Sequence, residues 1–259
     1  MQPPPRKRFG QNFLHDPGSI ARILAGIAPA PGQHLVEIGP GRGAITTGLL
    51  RAAGSLDAVE LDRDLIGPLT GHCAGLGDLR VYSADALRFD FCALAGNDML
   101  RIVGNLPYNI STPLLFHLLD QAECIHDMHF LLQKEVVARL AAAPGSKIYG
   151  RLSVMVQARC AVQRLFDISA GAFHPVPKVD SSFVRLRPHR EPVHAIADPS
   201  SFARLVAQAF SQRRKTLRNT LRPLLDEATI RACGLDPELR PEQLAVAEFV
   251  RLANALAGS

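Results

Sequence analysis

No segment of this chain approaches the roughly 18 uninterrupted apolar residues of a membrane span, and no apolar run of signal-peptide length follows the basic opening MQPPPRKRFG. Neither export nor membrane insertion is therefore expected, and the expected location is cytoplasmic. Paired cysteines are missing too. Cys73, Cys92, Cys124, Cys160 and Cys233 lie far apart, so no thiol spacing suits a metal and no disulfide framework can be read. Free thiols in a reducing compartment, and no metal, are the expectation. Internal repeats are absent, and the one low-complexity stretch is Pro3 to Pro5. What is present is 259 residues, 47% of them hydrophobic, enough for one large domain or a large domain with a small companion.

The net charge of +5 is unevenly placed. Residues 1–15 hold three basic and no acidic side chains, residues 201–259 nine basic and six acidic, and the stretch between them seventeen basic and eighteen acidic. Each end carries +3 and the middle −1. A near-neutral body flanked by basic segments suits a polyanionic partner, because phosphate neutralisation dominates nucleic-acid affinity. Merely solvated basic tails fit the same charge pattern.

From residue 33 to about 187, short β-rich runs alternate with helical stretches, which predicts an α/β domain built on a doubly wound, mostly parallel, seven-stranded sheet. The runs are His34 to Ile38, Leu56 to Leu61, Leu79 to Tyr82, Leu100 to Val103, Met128 to Leu132, Ser153 to Ala158 and Phe183 to Leu186. Helices are predicted over Ala44 to Ala53, Pro113 to Gln121 with Thr112 as N-cap, and Lys134 to Ala142. Pro188 and Pro192 interrupt the chain, and from Asp198 onward the spacing turns helical, with Phe202, Leu205, Val206, Ala209 and Phe210 on one stripe. Gly234 and Pro241 punctuate two or three further helices. The expected domains are 1–187, with a basic arm over 1–15, and a small all-helical domain over 188–259.

The segment EIGPGRGAIT, Glu37 to Thr46, leaves a buried strand and opens a helix, where a doubly wound sheet places its ligand crevice. Gly39, Gly41 and Gly43 allow positive φ and leave no Cβ in the way of a ligand. A tight turn with no ligand has the same composition. Glu60 stands seventeen residues beyond Gly43 at the end of the second strand, suited to accept from two ribose hydroxyls, and Asp85 follows the third strand, suited to accept from an adenine amino group. Each alone could be a solvated strand-end acid. Together they describe an adenosine pocket, and without the G-x-G-x-x-G spacing or a basic cluster for a pyrophosphate, a nucleoside cofactor fits better than a dinucleotide.

GNLPYNIST, Gly104 to Thr112, closes the fourth strand. The amino nitrogen of adenine is a poor nucleophile because its lone pair is delocalised into the ring. An amide oxygen from Asn105 and a backbone carbonyl held by the stiff Leu106-Pro107 link can accept its two N–H bonds and aim the lone pair. Tyr108 offers a ring for an unstacked base, a contact worth about 1–3 kcal/mol. Displacement on a cationic methyl donor needs alignment more than a strong base, in keeping with the lack of an obvious catalytic histidine. In isolation the motif reads equally as an Asx or proline turn.

These motifs, together with KRFGQNFL (Lys7 to Leu14), VELDRDL (Val59 to Leu65), LLQKEVVARL (Leu131 to Leu140), YGRLSV (Tyr149 to Val154), FHPVPKVDSS (Phe173 to Ser182) and QRRKTLRN (Gln212 to Asn219), run nearly end to end. In that order the chain closely resembles the bacterial small-subunit ribosomal RNA adenine dimethyltransferases of the KsgA/RsmA group, relatives of eukaryotic Dim1 and of the Erm methylases. The resemblance implies a Rossmann-like class I methyltransferase fold, S-adenosylmethionine as methyl donor, and Asn12 and Leu14 closing over a cofactor lined by Gly39, Glu60, Asp85 and Asn105. It also implies two adjacent adenosines of the last small-subunit rRNA hairpin loop as acceptors, each methylated twice; the expected partner is small-subunit rRNA in a pre-30S particle, and the expected state a monomer.

Phe173 is placed to stack on the target base opposite Tyr108, or equally to be a core phenylalanine in a proline-bounded loop. Arg213, Arg214, Lys215, Arg218 and Arg222 are predicted on one helix, with Arg214, Arg218 and Arg222 sharing a face for phosphate contact, unless that face is only solvated. Arg6, Lys7 and Arg8 extend the positive surface or belong to a mobile tail. Two other functions stay open: an Erm-type methylase of 23S rRNA, against which the Leu106 form of the motif and the basic tail speak, and an RNA-binding assembly factor with incidental chemistry.

Overall fold

The computed structural model describes residues 4–6, 10–108, 110–191, 193–212 and 214–258. Pro3, Lys7, Arg8, Asn109, Pro192 and Arg213, all invoked in the sequence reading, lie outside the described residues. Strand β1 (Phe13–Leu14) and helix α1 (Pro17–Ile27) lead into an alternating run. It comprises β2 (His34–Ile38), α2 (Thr46–Ala53), β3 (Ser55–Glu60), α3 (Arg63–Cys73), β4 (Asp78–Ser83) and α4 (Phe91–Ala95), then β5 (Leu100–Asn105), α5 (Ser111–Leu119), β6 (Ile125–Gln133) and α6 (Lys134–Leu140). After them come α7 (Arg151–Gln157), β7 (Cys160–Ile168), β8 (Phe173–His174) and β9 (Ser181–Pro188). The chain finishes in α8 (Pro199–Ala209), α9 (Leu217–Leu221), α10 (Glu227–Ala232) and α11 (Val246–Ala257).

Seven strands form one sheet in the order β4-β3-β2-β5-β6-β9-β7, and β1 pairs with β8 in a separate two-stranded ribbon. Strands β4 through β6 pair in parallel, and β9 runs antiparallel to β6. The central strands are mostly apolar because both faces are covered, as parallel strands require, with Glu37, Asp57, Arg101 and Asp127 buried among them. Leu35, Val103 and Leu131 of the sheet meet Ile23 and Ile27 of α1, Leu49 and Leu50 of α2 and Leu69 of α3 in one core. A buried ion pair ties α1 down: Arg101 holds Asp127 at 2.9 Å and donates to the carbonyl of Ile27 at 2.7 Å. Local signals set the helix starts. Asp16 caps α1 by accepting from the Ser19 N–H, and Asp198 caps α8 by accepting from Ser200 and Ser201, each followed by a proline at the first helical position.

The chain divides into two compact units, one running to Val137 and resuming over Gln163–Pro188, the other comprising Ala138–Val162 and His189 onward. The expected division was a single break after Arg187; the two units separate after Pro188 and also exchange residues 138–162, which group with the later helices although Cys160 to Val162 begin β7. Connected with this is a correction: Ser153 to Ala158, expected as a strand, lies largely in helix α7, and the seventh strand is β7. Leu152 through Val156 are all buried, and a short run in which every residue is buried has no periodicity to separate strand from helix. Within its unit α7 packs on α8 and α11, and the Ser153 hydroxyl accepts from the Gly150 N–H while donating to the Arg139 carbonyl at 2.6 Å.

Two further expectations are corrected here. Helix α5 begins at Ser111 with Ile110 as its cap rather than at Pro113 with Thr112, and Pro113 is still within the first turn, where no N–H is needed. Cys92 and Cys124, expected as free thiols, are joined in a disulfide. The Gln121 side-chain oxygen accepts from the N–H groups of Phe91 and Cys92, and this seats the start of α4 beside the turn holding Cys124. Residues 32 apart in sequence give no local sign of such a meeting. Cys73 and Cys160 are free and buried, and Cys233 is free and partly exposed.

Gly104, paired with Ile38 across β5 and β2, has no room for a side chain, since a Cβ there would lie 2.7 Å from the Ile38 carbonyl oxygen. Gly104→Ala is expected to lower unfolding free energy in urea by about 1–3 kcal/mol, the usual range for overpacking. An unchanged denaturation midpoint would show that β2 and β5 can part without loss.

Candidate active site

The parallel register brings the ends of β2, β3 and β5 to one edge of the sheet, where Ile38 is paired with both Val59 and Gly104. Gly39, Gly41 and Gly43 leave β2 with φ of +66°, +58° and +84°. At Gly41 the requirement is double: φ is positive, and a Cβ would stand 3.1 Å from the Phe13 ring. Its N–H donates to Glu60 Oε2 at 3.1 Å, while Glu60 Oε1 accepts from the Asp62 N–H at 2.8 Å. Burial pushes the Glu60 carboxyl above its ordinary range, against the pull of those two donors. Asp85, half-buried just beyond β4, accepts from the Leu87 N–H at 3.0 Å.

Asn105 ends β5 and donates through Nδ2 to the carbonyl of Asn12 at 3.0 Å. Leu106 is buried, and its N–H reaches the Leu131 carbonyl at 3.3 Å. The Ile110 N–H closes on the Pro107 carbonyl at 3.2 Å, so the Leu106-Pro107 link is held on both sides. The Tyr108 and Ser181 hydroxyls share a hydrogen bond of 2.9 Å, and burial raises the Tyr108 phenol. The Ser111 hydroxyl donates to the Tyr108 carbonyl.

The loop after β2, the ends of β3 and β5 and the turn after β4 border one cavity of about 350 Å³ in the sheet-bearing unit, which Gly43, Asp62, Ser111 and Ser181 do not line. Of the residues singled out from sequence, Asn12, Leu14, Gly39, Gly41, Glu60 and Asp85 line it, and so do Asn105, Leu106, Pro107 and Tyr108. Phe173 does not. It is 1% exposed, paired with Leu14 across β1 and β8, and packed in the apolar core, so the core alternative describes it and the stacking position does not. The peptide bond that follows, His174-Pro175, is cis.

The basic segment also differs from expectation. Helix α9 is only Leu217–Leu221; Arg214 and Lys215 precede it, Arg218 lies in it and Arg222 caps it, so Arg214, Arg218 and Arg222 share no single helical face. The N–H groups of Leu217 and Arg218 are taken by the carbonyls of Leu239 and Pro237, distant partners that stop a helix from continuing through Thr216. All four side chains are exposed, and Arg218 pairs with Glu238 at 2.9 Å. Among the described residues no helix is long and apolar enough to cross a membrane, and no group of three or more His, Cys, Asp or Glu is arranged to hold a metal.

The sequence reading missed Glu37 and Phe13. Glu37 lines the cavity at 2% exposure with the Thr46 hydroxyl donating to it at 2.6 Å, and burial pushes its pKa up to about 8. Its signal was a lone carboxylate inside the apolar run HLVEI. The Phe13 ring lies against Gly41 on one side, with the Arg42 guanidinium 4.3 Å from its centroid.

A family model described as ribosomal RNA adenine dimethylase matches residues 4–258. A ribosomal RNA small subunit methyltransferase A from Pseudomonas aeruginosa is 59% identical over 254 residues, covering 97% of this chain and 94% of that protein. Among solved structures, a dimethyladenosine transferase from Plasmodium falciparum is similar with a TM-score of 0.79 at 25% identity, covering 93% of this chain and 95% of its own. The 23S rRNA methyltransferase ErmE is similar with a TM-score of 0.73 at 25% identity, covering 95% of this chain and 100% of its own.

Glu37 makes stability depend on pH. With a folded pKa of about 8 against an ordinary 4.5, the folded protein keeps a proton that the unfolded chain has released. This contribution is fully present below about pH 4.5 and is lost as pH rises through about 8. Thermal unfolding of cofactor-free protein should therefore show Glu37→Gln gaining on the wild type as pH is raised across that window. A difference between the two that does not vary with pH would mean Glu37 is ionised in the fold.

Proposed function

Because this chain belongs to the ribosomal RNA adenine dimethylase family, we propose that its cavity takes S-adenosylmethionine and that it methylates the N6 amino groups of two adjacent adenosines in the 3′-terminal hairpin loop of 16S rRNA, twice each. The chain is an rRNA adenine methyltransferase; the acceptor positions, the methyl count and the donor are the proposal. The observation that carries it is the convergence of Gly41, Glu60, Asp85, Asn105 and Tyr108 on one cavity.

The residues present fit the donor. A side chain at Gly41 would fill the space beside Phe13, and the strand-end carboxylate of Glu60 suits vicinal hydroxyls. Gly39, Gly41, Glu60, Asp85, Asn12 and Leu14 would hold the group. When bound, it supplies an electrophilic methyl on a sulfonium. Asn105 Oδ1 and a carbonyl of the Leu106-Pro107 link accept the two N–H bonds of the target amine, which leaves its lone pair to point at the methyl carbon. Tyr108, steadied by Ser181, carries the face of the extruded base. Alignment does the work here, as expected for a displacement that needs no strong base.

Exposed Arg214, Lys215, Arg218 and Arg222 provide phosphate contacts in a monomeric cytoplasmic enzyme acting on pre-30S particles, whereas the Arg6 guanidinium is already paired with Asp62 and Asp64. The 59% identity to a small-subunit methyltransferase supports 16S rRNA over the 23S substrate of ErmE, to which the likeness is 25%. The test is to incubate the protein with labelled S-adenosylmethionine and undermethylated 30S or 50S subunits, then digest the rRNA. Dimethyladenosine at two neighbouring positions of 30S rRNA is expected, with Asn105→Ala lowering kcat about 100-fold or more. Label confined to 50S rRNA, or none, would overturn the assignment.

A further inference from the structure

An asparagine side chain ends in two groups of nearly the same size, one that only donates and one that only accepts. To receive an N–H from an adenine amine, Asn105 must turn its oxygen toward the base and its nitrogen away. The side chain alone does not choose between these two states. In this structure the choice is made by the backbone carbonyl of Asn12, which lies 3.0 Å from Asn105 Nδ2 and, being an acceptor, tolerates only the nitrogen.

The Asn12 carbonyl is in turn held from both sides. Downstream, β1 pairs Phe13 with His174 and Leu14 with Phe173, and the His15 N–H reaches the Ala172 carbonyl at 2.9 Å. Upstream, two side chains of the arm grip one carboxylate. Gln11 Nε2 donates to Asp62 Oδ2 at 3.0 Å, and the Arg6 guanidinium donates to Asp62 Oδ1 at 2.9 Å. Arg6 also pairs with Asp64, and its N–H donates to Gln11 Oε1 at 2.8 Å. Asp62 is 3% exposed and follows closely on Glu60, whose Oε1 accepts the Asp62 N–H. Pairing in β1 fixes the chain from Phe13 onward, but the peptide plane carrying the Asn12 carbonyl can still rotate if the chain before it is loose. The grip on Asp62 removes that freedom.

We propose that Arg6 and Gln11 are positioning residues for methyl transfer, acting through Asp62 and the Asn12 carbonyl to fix which end of the Asn105 amide faces the acceptor amine. The inference rests on the reading of Asn105 as the group that accepts from adenine. It makes the arm more than a cover for the donor. The turn beside the ribose carboxylate also sets the orientation of the acceptor-binding amide, so one segment serves both substrates.

The test is the double variant Arg6→Ala/Gln11→Ala, whose sites are on a partly exposed arm (Arg6 is 34% exposed). In cofactor-free protein labelled with 15N, the Asn105 side-chain amide protons are expected to exchange slowly in the wild type and several-fold faster in the variant. With 30S substrate and saturating donor, kcat is expected to fall about tenfold, the upper range for loss of one net hydrogen bond, while the donor Kd stays within about twofold. Unchanged exchange at Asn105 would overturn the proposal, and so would a wild-type kcat accompanied by a weakened donor Kd, which would make the arm a cover only. Full activity in Asn105→Ala would instead sink the reading of Asn105 while leaving the exchange measurement to judge the clamp.

Discussion

The hydrogen bond from the Gly41 N–H to Glu60 Oε2 is the contact around which the site is assembled. It joins the loop leaving β2 to the last residue of β3, and both partners are constrained: Gly41 by its positive φ and by Phe13, Glu60 by burial and by its second bond to Asp62. A carboxylate buried this deeply needs donors on both oxygens, and the two backbone N–H groups supply them. The loop is thereby held open over the strand ends, and the arm reaches the same turn through Asp62. Loss of that one contact would release the glycine loop, the Glu60 carboxylate and the anchor of the arm together.

The two sides of the cavity meet because β5 lies beside β2 in the sheet although it is separated from it in the chain by two other strands. Some of the cavity-lining groups come from β2, β3 and the loop after β4, and others from the end of β5. Gly104 permits the close approach of β5 to the Ile38 carbonyl, and the next residue is Asn105. Tyr108 depends on the antiparallel β9, which carries Ser181 to within hydrogen-bonding reach. The departure from an all-parallel sheet therefore supports the aromatic side of the site.

Much of this was legible. Strands β2, β3, β5 and β6 stand out because a parallel strand covered on both faces is mostly apolar, the edge strand β4 because polar and apolar residues alternate in it, and the glycine loop, the strand-end acids and the NLPY turn each follow one of these strands. Where apolar character alone was the guide it misled. RLSVMVQ is as apolar as a buried strand and folds as a helix, whereas the true edge strand CAVQRLFDI alternates irregularly and left no clear pattern. The basic segment carried a helical spacing, but its backbone N–H groups found partners near Pro237 and Leu239. Phe173 sat in a motif of the right kind, and its register against Leu14 buried it in the core.

By itself, the sequence determined the alternating architecture, the family, and the residue types at the ends of the strands, because these follow from local composition, spacing and order along the chain. Tertiary structure decided the pairing of Cys92 with Cys124, the partition of residues 138–162, the burial that raises the Glu37 carboxyl, and the contact of Asn12 with Asn105. Each of these joins or encloses groups distant in sequence. The free energy of such contacts depends on the separation and desolvation of atoms that only the folded chain brings together.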